Sequence, residues 1–256
     1  MGAFRQHRTF ERAERLSLSL LACPGRRTLS NLLCTCGRQF LDWSADYRLF
    51  SQDAWETPPL FSPIVRGVLD LLPATAPFVA ALDDTHLKKT GPHIPGVAYR
   101  RDPLSPPFHT NLIRAQRFIQ LSALLFQEEG AGAARAIPIR YEHAPSVPKP
   151  KRSDSPEVWK AYREQIRQTN LSTQAMALLR ETRTELDRVH GAEGRSFLVA
   201  VDGSYTNRTV IRGLPPRTTL IGRIRKDAEL FLPPQPEDQM AVGAKCNYGK
   251  LTPTAI

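Results

Sequence analysis

Long apolar runs are missing from this sequence. No wholly apolar stretch exceeds five residues, against the roughly 20 that a membrane-spanning helix requires, so that class is excluded. Cysteine is scarce, with four residues (Cys23, Cys34, Cys36 and Cys246) in a chain of 256. Cys34 and Cys36 stand too close together for the usual zinc spacing, and no second ligand pair follows. Buried free thiols in a reducing cytosol are expected instead. Acidic residues are the minority, 25 against 35 Lys and Arg, for a formal net charge of +10. Such a balance favours phosphate polymers or anionic surfaces as partners, and says little about fold. A segment ending Leu20-Leu-Ala-Cys23 resembles a lipoprotein signal, but Glu11 and Glu14 interrupt its basic stretch and serines its apolar one. A cytoplasmic protein is expected.

What the chain does have is enough apolar content, 41 %, and enough length for one large domain or a small domain joined to a larger one. Residues 1–75 carry helical punctuation. Thr28 is placed to cap a short helix that stops at Gly37, and the spacing of Leu60, Ile64, Val65, Val68, Leu69 and Leu72 predicts another that ends before Pro73. This region is expected to form a small helical domain, with DNA binding through Arg26, Arg27, Arg38 and Arg48 as one reading and a structural cap as the other. Residues 76–256 change period. Phe78–Leu82 predicts a buried strand, Arg117–Phe126 a second, and Ile137–His143 a third at a sheet edge because of Pro138. The proline-rich stretch between the first two is expected to be a loop. Ser155-Pro156-Glu157 begins a long helical segment with a break near Asn170. A strand at Ser196–Val201, a short helix at Thr206–Arg212 and a strand at Thr218–Arg225 complete the order. Trp43, Trp55 and Trp159 are expected to be core residues.

Two of these strands end alike, as Leu82-Asp83-Asp84-Thr85 and Val201-Asp202-Gly203-Ser204. Neighbouring strands that end in acids bring carboxylates together, and a hard divalent cation with oxygen ligands is the natural way to neutralise them. A pair of such ions about 4 Å apart suits phosphodiester chemistry. Three strands, a helical segment, a strand, a helix and a strand is also the element order of the ribonuclease H-like fold, with the two acids on its first and fourth strands.

At these positions the chain resembles the DDE transposases of bacterial insertion sequences, in the IS4-like group and especially its IS701-type members. The residues that carry the resemblance are Asp42-Trp43 with Tyr47-Arg-Leu-Phe50, Leu82-Asp-Asp-Thr-His-Leu-Lys-Lys-Thr-Gly91, Ile94-Pro-Gly96, Arg100-Arg-Asp-Pro103, Pro106-Pro-Phe108 with Asn111, Val201-Asp-Gly-Ser-Tyr-Thr-Asn-Arg208 and Ile221-Gly-Arg-Ile-Arg-Lys-Asp227. The resemblance implies an α/β, ribonuclease H-like catalytic domain and an enzyme that cleaves DNA at element ends and joins them to target DNA. It also implies Mg²⁺, with Mn²⁺ as a substitute, and a homodimer on paired ends. The second acid maps to Asp202. The first maps to Asp83 or Asp84, with Asp83 favoured as the metal ligand because its spacing to a following hydroxyl matches Asp202-Gly203-Ser204.

The family's third acid, a helical glutamate, has no clear counterpart. Asp227, Glu229, Glu237 and Asp238 stand among prolines without helical spacing, so the catalytic domain is expected to be C-terminally incomplete. A DNA-binding remnant without catalysis is the alternative. Lys88, Lys89, Arg100 and Arg101 near the first acid, and Arg208, Arg223 and Arg225 near the second, are the expected DNA contacts.

Overall fold

The structure is a computed structural model that describes residues 2–52, 55–91, 93–106, 108–126, 134–224 and 231–232. Four helices come first: α1 (His7–Ala22), α2 (Leu29–Thr35), α3 (Ser44–Ser51) and α4 (Pro58–Asp70). The Thr28 hydroxyl accepts from the Asn31 amide at the start of α2, and Gly37, at φ +73°, takes the left-handed turn that ends it. Leu16, Leu32, Leu33 and Leu49 give α1–α3 a small core of their own, against which Trp43 and Trp55 pack. Asp46, 1 % exposed, is bridged there by Arg15 at 3.1 Å. The buried face of α4 goes elsewhere: Val65, Val68 and Leu69 join the core of the sheet.

That sheet is mixed, six-stranded and ribonuclease H-like. Its strands are β1 (Phe78–Lys88), β2 (Ala98–Arg101), β3 (Leu112–Leu125), β4 (Arg135–His143), β5 (Phe197–Val201) and β6 (Thr218–Gly222), joined after β4 by α5 (Pro156–Thr169) and α6 (Leu171–Arg188), and after β5 by α7 (Arg208–Gly213). The order is β2-β3-β1-β5-β6, with β4 also on β3. β1 runs antiparallel to β3 and parallel to β5, and β6 is parallel to β5.

Asn170 explains the helix break. It closes α5 in an extended conformation and its side chain accepts from the Thr173 amide to start α6. α6 buries Ala175, Leu178, Leu179 and Leu186 on the sheet, each leucine contributing about 1.5–3 kcal/mol of hydrophobic stabilisation. α5 buries nothing, so Trp159 is half-buried on its surface and is not a core residue.

The strands exceed their expected lengths. β1 continues past Leu82 to Lys88, because β3 begins at Leu112 and pairs with it over that whole polar half. The acids therefore sit within a strand rather than at its exit. The proline-rich stretch also contains β2, which pairs with the early part of β3. β2 and β4 thus lie end to end along one edge of β3. At their junction Gly96, at φ +71°, packs against the His143 ring, where an added Cβ would come within 2.2 Å of it. Pro138 sits at a register shift in β4, which pairs on one side alone, as expected of an edge.

Among the described cysteines all are free. Cys23 is buried, but Cys34 is exposed, since it falls on the solvent side of α2; Cys246 lies outside the described residues. No helix among the described residues is long and apolar enough to cross a membrane.

Candidate active site

β1 and β5 begin with the same residue type in register. Phe78 pairs with Phe197, their rings 5.9 Å apart edge to face. The parallel ladder closes at Leu82 opposite Val201, and the next residue in each case is an aspartate: Asp83, still within β1, and Asp202, just past the end of β5. Because side chains alternate, Val79, Ala81 and Asp83 share one face of the sheet, and Phe78, Ala80, Leu82 and Asp84 share the other. Asp202 lies one residue past the end of β5, close enough that its charge acts on the Asp83 carboxyl.

The two carboxylates feel each other. Burial and then the Asp202 charge push the Asp83 carboxyl above its usual range, against one opposing hydrogen bond from the Asp84 amide at 2.8 Å. Asp202 sits at the head of a tight turn, where its Oδ1 accepts from the Ser204 amide at 3.0 Å and the Ser204 hydroxyl at 2.6 Å. Neither acid forms an ion pair with a described Lys, Arg or His.

Asp84 has a different environment. Its Oδ1 accepts the hydroxyl of Tyr205 at 3.1 Å, and Tyr205 is 1 % exposed in the core of the sheet. Burial, and next the Asp84 charge, hold that phenol well above its ordinary value. Tyr205 belongs to the Val201–Arg208 motif, but the sequence alone gives it no role; its position three residues after Asp202 is the one available signal.

The expected cationic residues divide into separate groups. Arg208 opens α7 and Arg223 follows β6, both exposed on the Asp202 side, with Arg223 backbone oxygen close over Gly203. Lys88, at the far end of β1, reaches the buried Asp102 at 3.2 Å, and Lys89 follows it. Arg100 and Arg101 lie on β2, two strands from β1. Arg225, Asp227, Glu229, Glu237 and Asp238 lie outside the described residues. No cluster of three or more His, Cys, Asp or Glu placed to hold a metal ion occurs among the described residues.

A sheet of this order, with an acid on its first strand and another just past the strand parallel to it, has the ribonuclease H-like architecture. Residues 2–255 match the family described as DDE superfamily endonuclease, and the chain belongs to that family. No curated protein and no solved structure gives a significant match to the chain.

Proposed function

We propose that the chain is an insertion-sequence transposase that cleaves DNA at element ends, with Asp83 and Asp202 as two of its metal-holding acids. The observation that carries this reading is the placement of those acids, each one residue beyond the paired Leu82 and Val201, near enough that the Asp202 charge raises the Asp83 carboxyl. The donor set suits a hard divalent cation: two carboxylates that repel each other, with no described cation paired to either. Mg²⁺ is the proposed ion and Mn²⁺ its substitute. Bound there, it supplies positive charge where a phosphodiester under attack develops negative charge.

The chain's own residues do the rest. Ser204 fixes the Asp202 carboxylate, and the ladders on both sides of β1 fix Asp83. Asp84 is assigned a supporting role, because it faces away and is taken up by Tyr205. Arg208, which opens α7 after the Asp202 turn, and Arg223, whose backbone oxygen lies beside Gly203, are the proposed contacts to DNA phosphates. The helical region, residues 1–75, is proposed to grip DNA, supported by the separate core of α1–α3. Two copies acting on paired ends, at the nucleoid, complete the reading.

The test is cleavage of supercoiled plasmid and of element-end duplexes with Mg²⁺ or Mn²⁺. Nicking that is lost in Asp83→Asn and in Asp202→Asn, and kept in Asp84→Asn, is the expected result. A second reading, DNA binding without cleavage, is favoured by one observation: the acids after Asp202 near the end of the sequence, Asp227, Glu229, Glu237 and Asp238, stand among prolines without helical spacing. It requires a shifted duplex in a gel and no nicking with either ion.

A further inference from the structure

Asp202 lies past the last rung of β5, so its place relative to Asp83 is set by the turn that carries it, residues 202–207. That turn is held from two sides. Towards β6 it is seated by close packing: Thr206 lies against Gly222 with no room for a Cβ between them, and the Arg223 backbone oxygen lies against Gly203. Towards β1 the tie is Tyr205, whose hydroxyl donates to Asp84 Oδ1 at 3.1 Å. Among the described residues it is the one side-chain hydrogen bond from this turn to β1. The others stay near the turn or, through Asn207, reach Ser172 of α6.

The Tyr205 ring is 1 % exposed and belongs to the core of the sheet, which fixes its depth. Its buried hydroxyl needs an acceptor, and Asp84 is the acceptor it has. Asp84 follows Asp83 directly and Tyr205 stands three residues after Asp202. One bond on the far face of β1 therefore joins the surroundings of both acids. Two like charges favour a wider separation when no cation is between them. A turn seated on β6 alone would give way in that direction, and an ion would then have to draw the acids together as it binds.

We propose that Tyr205 is a positioning residue for the cation site: through its bond to Asp84 it holds the Asp202 turn close enough to Asp83 for the two acids to share one ion. The inference rests on the metal-holding role proposed above for Asp83 and Asp202. Tyr205 touches neither ion nor DNA and acts through the backbone that carries the acids.

The electron paramagnetic resonance signal of free Mn²⁺, titrated against the chain without DNA, measures the affinity directly. Tyr205→Phe keeps the ring and is expected to bind Mn²⁺ about tenfold more weakly, at the low end of what outer partners of metal ligands cost. Asp84→Ala, which removes the acceptor, should match it. Asp84→Asn still offers an amide oxygen and should recover most of the affinity. Tyr205→Phe combined with Asp84→Ala should lose no more than either alone, because one bond accounts for both. Glu185→Gln, which breaks the buried Arg140 ion pair away from the acids, should lower the melting midpoint without changing the affinity. If Tyr205→Phe fails to fold, Asp84→Ala against Asp84→Asn carries the test. Affinity unchanged in Tyr205→Phe and Asp84→Ala, with lowered melting midpoints, makes the bond purely structural and overturns the positioning role while the cation site stands. Binding lost in Asp84→Asn as fully as in Asp83→Asn makes Asp84 a ligand and overturns it as well. An unmodified chain that takes up no Mn²⁺ at millimolar concentration overturns the cation site, and this inference with it.

Discussion

Tyr205 donates its hydroxyl to Asp84 across 121 residues of sequence, at 3.1 Å. The bond ties the turn that carries Asp202 to the strand that carries Asp83, from underneath the sheet. Removing it in Tyr205→Phe is expected to destabilise the fold by about 1–2 kcal/mol, since the Asp84 acceptor loses its partner. A chemical-denaturation midpoint measures that, and an unchanged midpoint would remove the bond from the account.

The same residue gives an alkaline signature. The folded chain holds the Tyr205 phenol protonated above its ordinary pKa of 10.0. A raised folded pKa means that the unfolded chain releases the proton first, so stability is complete below about pH 10 and falls as pH rises beyond it. Tyr205→Phe should flatten that alkaline fall in a series of thermal melts. An equally steep fall in the variant would assign it to other groups.

Asp83 and Asp202 oppose each other in the absence of a cation. Neutralising one, by Asp83→Asn or Asp202→Asn, is expected to raise the metal-free melting midpoint by about 1–3 °C. Both variants should also lose the further rise that Mn²⁺ gives the unmodified chain. A melting curve of the unmodified chain that ignores millimolar Mn²⁺ would count against the cation site.

The ion pair of Arg140 with Glu185 lies at the interface of β4 and α6, with Arg140 4 % exposed. Glu185→Gln leaves a buried guanidinium without its counter-charge and should cost about 3 kcal/mol. Replacing both partners by apolar residues of similar size should recover most of that loss. Denaturation of the single and double variants decides.

Gly96 is the residue on which two strands meet. Gly96→Ala puts a side chain into a left-handed backbone and into the His143 ring, and about 1–3 kcal/mol of stability should go from the backbone conformation alone. His143→Ala should restore part of it by removing the clash. No recovery in that double variant would place the whole cost in the backbone.

Much of this architecture is legible in the chain. Phe78–Leu82 and Phe197–Val201 are apolar runs of equal length, each followed by an aspartate, and the equal count is why both acids follow the same rung of the ladder. Helix boundaries at Thr28, Gly37 and Asn170 follow from local hydrogen bonding, which a sequence carries in full. The polar half of β1 does not show, because Asp83–Lys88 is held in a strand by β3 and not by its own apolar alternation. β2 is hidden among prolines for the same reason: its pairing partner is more than ten residues away. The meeting of Tyr205 with Asp84 depends on strand neighbours and has no local trace.

The ladders on both flanks of β1 have one more consequence. Bonded to β5 as far as Leu82 and to β3 as far as Lys88, its backbone cannot swing Asp83 away from Asp202. The electrostatic tension between the acids is therefore built in when the sheet forms, before any ligand arrives. On the proposed reading, a cation bound between the acids would release that tension with little movement of β1.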